Sequence, residues 1–202
     1  MLKQFTEEAE KNRFETFIDA ILAIIMTILV LEFKVPDQHV NSDVEIKTFL
    51  KELFPSFISY FISFSTIAVL WIDHHNLFRL IKKADVPLVF LNFIFVLFLS
   101  ATPFTTSLAG RNFENAYAIK VVALNYLLMN LAFTSIWIYT MKYKLISDHI
   151  EKQLSTKLEN RVILSGFLLQ IASIPLANVN TYCSLAAIIL VLILHVIRLW
   201  HH

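Results

Sequence analysis

Two glycines, Gly110 and Gly166, are all that this 202-residue chain contains. An ion filter built from rings of backbone carbonyls on a Thr-Val-Gly-Tyr-Gly loop is therefore excluded, and so is a glycine-rich phosphate loop. Cysteine occurs once, at Cys183, so neither an internal disulfide nor a multi-thiolate metal site can form. Charge is scarce as well: Asp, Glu, Lys and Arg make up 16% of the chain, against about 25% in an average soluble domain. The formal net charge of +1 leaves no footprint for nucleic acid. HExxH, nucleophile-elbow and haem-attachment motifs are all missing. Nothing points to an enzyme, and no cofactor is expected.

What is there is apolar surface in blocks: 57% of the residues are hydrophobic. A hydrocarbon core about 30 Å thick takes about 20 apolar residues of helix to cross. A spanning β-barrel would instead alternate polarity over stretches of roughly 10 residues. The runs here are continuous, and a helix satisfies all its backbone groups within one segment. The chain reads as an all-α membrane protein, a single domain over 1–202. Six spans are expected, at about 14–33, 53–72, 86–108, 118–141, 162–177 and 182–200. The second should continue as helix past Arg79. Pro175, Asn178, Asn180 and Thr181 suggest a tight turn, making the last two spans a hairpin. The first run follows an acidic, lysine-containing amphipathic segment and is too long for a signal-peptide h-region, so no cleaved leader is expected.

Lysine and arginine set the orientation. With the N-terminus inside, inner segments hold 12 of the 17 basic residues, among them Lys11, Arg13, Arg79, Lys82, Lys83 and Arg198. Both termini are expected in the cytoplasm. The longest outer loop, Lys34 to Glu52, is mildly acidic through Asp37, Asp43 and Glu45. His201 and His202 carry no functional weight.

Charge inside a membrane is costly and marks function. Five spans have almost none in their central turns. The exception is the inner end of the first, Arg13-Phe14-Glu15-Thr16-Phe17-Ile18-Asp19. The lack of carboxylates or histidines near mid-membrane argues against a proton-coupled carrier. At about 100° per residue, Ile24, Thr27 and Leu31 form one stripe that Ala20 and Phe17 extend inward. Two readings stand. The stripe faces lipid or core, with Thr27 bonding the i−4 carbonyl of its own helix. Alternatively it lines a pore, with a hydrophobic constriction at Ile24 and a hydroxyl ring at Thr27. Asp19 lies about 140° from Ile24 on the wheel and would brace the helix against its neighbours.

The second span ends in Trp71-Ile72-Asp73-His74-His75. Adjacent histidines diverge by about 100° and make no pincer for one metal, whereas zinc helices use i, i+4 pairs. No metal is expected. Trp71 suits the aromatic belt of the membrane interface. The third span carries Asn92 and ends in Ala101-Thr102-Pro103-Phe104-Thr105-Thr106, where Pro103 predicts a kink.

The segment Arg13 to Pro36 resembles the first-helix signature of a channel family, the prokaryotic relatives of the endolysosomal potassium channel transmembrane protein 175. That signature is Arg-x-x-x-Phe-Ser-Asp, then an apolar helix, then a stretch like Val-Leu-Glu-x-Lys-Val-Pro. Arg13, Phe17 and Asp19 fall in register, and Val30-Leu31-Glu32-Phe33-Lys34-Val35-Pro36 matches the tail. Ile18 replaces the serine and removes one hydroxyl. The Trp71 to His75 and Pro103 to Ser107 segments also look like that family, as do the length and the six spans.

The resemblance implies a potassium-permeable cation channel in a bacterial inner membrane. It would be a homotetramer around four first helices, with modest preference for potassium over sodium; a neighbouring version has protons as the more important permeant ion. Its constriction would be a ring of Ile24, with Thr27 and Leu31 as the next layers. Arg13, Phe17, Asp19 and Trp71, with one or both of His74 and His75, would brace the pore helix from behind. The alternatives outside this class are a secondary transporter and a non-conducting membrane scaffold. Against the transporter, the break expected at Pro103 lies near one helix end and not at the midplane, and no internal repeat divides the chain.

Overall fold

The structure is a computed structural model that describes residues 2–34, 42–146 and 157–200, with side chains from 9 onward and, in the last segment, from 165. Among the described residues the chain is helical throughout. The one extended contact is an isolated antiparallel bridge between Ile81 and Ile146. Helix α1 runs Leu2–Ile28 and tightens into a 3-10 turn, Leu29–Glu32. Then follow α2 (Asp43–Leu80), α3 (Val86–Ser100), α4 (Thr102–Arg111), α5 (Ala116–Lys142), α6 (Lys157–Val179) and α7 (Thr181–Trp200).

Five segments are long and apolar enough to cross a membrane: Ala9–Glu32, Asp43–Leu80, Val86–Arg111, Ala116–Lys142 and Thr181–Trp200. The fifth expected span exists as a helix, but its apolar described part, Ser165–Val179, is shorter than these. Val86–Arg111 is one span made of two helices. The break falls at Ala101, whose N–H turns back to Leu99 and Phe98, and Pro103 sits in the first turn of α4, where its missing N–H costs nothing. Pro175 lies inside α6 and not in the turn that its spacing suggested. A proline is tolerated within a membrane helix because neighbouring groups re-satisfy the freed carbonyl. The hairpin turn is Asn180 alone. Its side chain accepts from the N–H of Tyr182 at 2.8 Å, and the hydroxyl of Ser184 donates across the hairpin to the carbonyl of Ser173 at 2.7 Å.

Short polar signals set the helix starts. Ser42 and Glu45 form a reciprocal capping box at α2. Asp85 caps α3 through Leu88, and Asn115 caps α5 through Tyr117 and Ala118. Ile18, Leu22, Ile25 and Leu29 are the buried face of α1, a helical i, i+4, i+7, i+11 series that packs on α2, α3 and α4. Ile18 is fully buried in the apolar core, so the position where the signature has serine is here a packing position. Helices α2 and α4 approach at Gly110, where a Cβ would stand 2.7 Å from the Cα of Ser56. Small residues that let backbones touch are how membrane helices associate when burial from water gives no drive.

Candidate functional site

The core series on α1 fixes what its opposite face does. Ile24 is 56% exposed and Leu31 69% exposed, with Thr27 between them also uncovered. This face is left open by the chain's own bundle along its whole membrane length. The Thr27 hydroxyl donates to the carbonyl of Ile24 at 2.7 Å, an i−3 partner and not the expected i−4. With its proton committed inward, that oxygen leaves its lone pairs on the open side.

Phe17 continues the open face towards the N-terminal end at 48% exposure. Its ring meets the edge of Phe93 on α3, centroids 6.3 Å apart. It is an aromatic wedge and takes no part in polar contacts. Arg13 is exposed and makes no hydrogen bond or ion pair among the described residues.

Behind the open face, Asp19 accepts from the indole Nε1 of Trp71 at 3.0 Å. Trp71 lies nearly parallel to His75, centroids 5.7 Å apart. His75 Nδ1 is 3.4 Å from the carboxylate of Glu15, which also faces Lys11 at 3.8 Å. Helix α1 is thereby tied to α2 over two turns. Glu15 belongs to this group although sequence reasoning passed over it. It stands four residues before Asp19, so both carboxylates project from one side of α1. The ligand atoms of Glu15, Asp19 and His75 lie within 4.8 Å of one another, a juxtaposition that the spacing argument on the adjacent histidines could not detect.

His74 points elsewhere. It is fully buried, stacks on Phe78 with centroids 4.3 Å apart, and bonds through Nε2 to Asn92 Oδ1 on α3 at 2.9 Å. Asn92 donates its own amide to the carbonyl of Leu88 at 2.8 Å, so its oxygen faces the histidine and Nε2 must be the donor. His75 joins the α1 contacts, while His74 pins α2 to α3.

A second polar assembly lies inside the bundle, away from α1. The Ser63 hydroxyl is 2.6 Å from both Thr106 Oγ1 and Tyr126 Oη. Asn125 reaches Thr102 and Thr105, and Asn130 donates to Gln170 at 3.1 Å. Nearer the N-terminal end of the bundle, Arg198 of α7 pairs with Asp73 of α2. A search for intramembrane carboxylates and histidines overlooks most of this, because its members are largely neutral hydroxyls and amides.

The arrangement is that of a multi-pass α-helical membrane protein whose first helix presents a membrane-long face to something other than its own bundle, braced from behind by an Asp–Trp–His group. The comparisons place it. The family model described as "Endosomal/lysosomal potassium channel TMEM175" matches residues 13–103. A potassium channel of Chamaesiphon minutus is 31% identical over 134 residues, 65% of this chain and 66% of that one. The crystal structure of a lysosomal potassium-selective channel TMEM175 homolog from the same organism superposes with a TM-score of 0.78 at 27% identity, covering 94% of this chain and 98% of that one. The endosomal/lysosomal proton channel TMEM175 of Bos taurus is 37% identical over 106 residues, 48% of this chain and 22% of its own. The chain is a homologue of the TMEM175 proteins, a family of ion channels and not of enzymes. It spans just under two thirds of the curated bacterial relative and about a fifth of the vertebrate one.

Proposed function

We propose that this chain is a potassium-permeable cation channel that assembles as a homotetramer around four copies of α1. The observation that carries this reading is the open face of α1, on which Ile24, Thr27 and Leu31 stand uncovered by their own subunit. It is supported by the relatives, bacterial members of the family being named potassium channels. Four-fold closure would turn each of those residues into a ring.

The rings differ in chemistry. Isoleucine offers an ion no oxygen, so a narrow Ile24 ring closes by dewetting and conducts when it widens enough to admit a hydrated or partly hydrated ion. Four Thr27 hydroxyls, their protons turned into the helices, present lone pairs in place of some of the ion's water. That exchange favours the more weakly hydrated potassium over sodium, modestly, because one hydroxyl layer replaces only part of a hydration shell. Leu31 then forms a second apolar collar. The Asp19, Trp71 and His75 group holds α1 at the angle that keeps these layers coaxial. Both termini lie in the cytoplasm of a bacterium, with the multi-pass bundle in its inner membrane. Protons, for which vertebrate relatives are named, are a second permeant ion.

The test is current across planar bilayers holding the purified protein, with potassium on one side and sodium on the other. Unitary steps and a reversal potential displaced towards potassium equilibrium are expected. Slow, saturable flux without steps would replace the channel by a secondary transporter. No flux from folded protein would replace it by a scaffold.

A further inference from the structure

Towards the end of the bundle that carries Arg79 and Arg198, helices α2, α5 and α7 leave a cavity of about 830 Å³ between them. The hollows deeper in the same bundle reach only about 30 Å³. No described residue of α1 or α3 lines the large cavity, so it lies apart from the open face of α1. Its volume is that of a ligand pocket, about 300–1,000 Å³.

Depth sorts its lining. Val69 and Phe133 form a buried apolar floor. Arg79 lies about 9 Å beyond Asp73 along α2, six residues at about 1.5 Å each. Trp137 and Trp200 stand near the same mouth, and tryptophan marks the level of the membrane–water interface. The mouth is therefore at headgroup depth and the floor at acyl-chain depth. Among the described residues, the Arg79 guanidinium, the Asn76 amide and the Trp137 indole N–H have no hydrogen-bond or ion-pair partner. Arg198 gives one N–H to Asp73 and has further donors on the same guanidinium. With His195 neutral, two guanidiniums stand against one carboxylate, which leaves the lining at +1.

The charge continues outside the mouth. The loops that follow α2 and α5 are joined by the Ile81–Ile146 bridge and by the N–H of Lys82, which donates to the carbonyl of Leu145 at 3.0 Å. Lys82, Lys83, Lys142 and Lys144 are exposed along this seam. The carboxylate beside them, Asp85, is taken up by the N–H of Leu88 and the hydroxyl of Tyr139.

We propose that this cavity is a binding site for one phospholipid of net negative headgroup charge, drawn from the leaflet at that end. Arg79 and Arg198 hold the phosphodiester, and an acyl chain lies against Val69 and Phe133. A phosphodiester without an amine carries one negative charge and balances the lining. Its oxygens accept from donors that otherwise lack partners, and a guanidinium binds phosphate through two parallel bonds. A zwitterionic lipid would bring an ammonium to a site already in positive excess, and a soluble phosphate would leave the apolar floor uncovered. Basic pockets between membrane helices recognise anionic headgroups in this way. The competing account is the ordinary excess of lysine and arginine on one side of a membrane. That excess gathers anionic lipid without ordering it, and it calls for neither a cavity nor an unengaged amide and indole at its mouth.

The experiment is native mass spectrometry of the full chain in detergent micelles, titrated with phosphatidylglycerol or phosphatidylethanolamine of identical acyl chains. Mass counts lipid per chain in any oligomer, so the readout does not depend on the channel reading. Binding of phosphatidylglycerol should saturate at one per chain, about fivefold tighter than phosphatidylethanolamine, the ratio expected from one headgroup charge near a basic residue. Arg79→Gln changes an exposed side chain without a partner, so the fold should survive and the preference should vanish. Val196→Trp places an indole in the cavity from α7 and should lower occupancy by both lipids with the charges intact. Glycerophosphoglycerol, the same headgroup without chains, should fail to displace the lipid when present in excess. The proposal is overturned if the two lipids bind alike or if binding does not saturate at one per chain. It is equally overturned if Arg79→Gln keeps the preference, if Val196→Trp leaves occupancy unchanged, or if the chainless headgroup competes, which would make the site one for soluble phosphate.

Discussion

The open face of α1 and the interior of the α2–α4–α5–α6–α7 bundle invert what a soluble protein does with its residues. On α1, Ile24 and Leu31 are uncovered while the core face of the same helix is sealed by Ile18, Leu22, Ile25 and Leu29. Inside the bundle, Ser63, Thr106, Asn125 and Gln170 are buried. In lipid no penalty attaches to apolar surface turned outward, so an exposed isoleucine needs no partner. A buried hydroxyl does need one, because no bulk water is at hand. The two regions therefore fail differently when changed. The bundle should lose stability, and α1 should lose or change function without losing stability.

The largest effect is expected from Asp73→Ala, which strips the partner from Arg198 inside the bundle. An uncompensated buried charge costs about 3–5 kcal/mol. The thermal midpoint in detergent should fall by roughly 10 °C, and replacing both partners with apolar residues should recover much of it. Gly110→Ala comes next. Its new methyl meets the backbone of Ser56, not a movable side-chain end, so overpacking should cost about 1–3 kcal/mol, read in the same melt. On the other side of the comparison, Ile24→Asn should leave the midpoint unchanged and raise unitary potassium conductance about tenfold, equivalent to ~1.4 kcal/mol off the barrier, with selectivity over sodium reduced. Trp71→Phe keeps the ring and deletes the bond to Asp19. Because the group is half exposed, about 1 kcal/mol is expected, seen as a shifted open probability in single-channel records with conductance unaltered. A stability loss from Ile24→Asn as large as that from Asp73→Ala would erase the distinction.

Much of the fold was legible because membrane helices announce themselves by run length. The ends of α5 and α7 fall where loss of apolarity places them, and the kink before Pro103 follows from the ring's missing N–H, but α2 begins at Asp43, ten residues before its expected start and inside what reads as an outer loop, because the Ser42–Glu45 capping box starts a helix ahead of the apolar run. Pro175 misled because the rule that proline ends a helix is a rule for water. The stripe on α1 was legible from periodicity, but what it faces was not, since lipid and a pore wall both accept isoleucine. Periodicity also separated His74 from His75, which the structure sends to α3 and α1 respectively. The buried hydroxyl and amide contacts were not legible. Their members are scattered from Ser63 to Gln170, each unremarkable alone, and only the packing of the helices brings them together. Val35 and Pro36, the tail of the signature, lie outside the described residues.

The claim on which everything about α1 depends is that its open face meets the ion path and not lipid. The direct measurement is cysteine accessibility. In a Cys183→Ser background, which removes the one native thiol, T27C is exposed to a water-soluble thiol reagent while current is recorded in a planar bilayer. The account predicts rapid, irreversible loss of most of the current, slowed by high potassium, with no loss in the background protein. Current that continues unchanged on protein shown by mass to be labelled would place Thr27 against lipid and contradict the account.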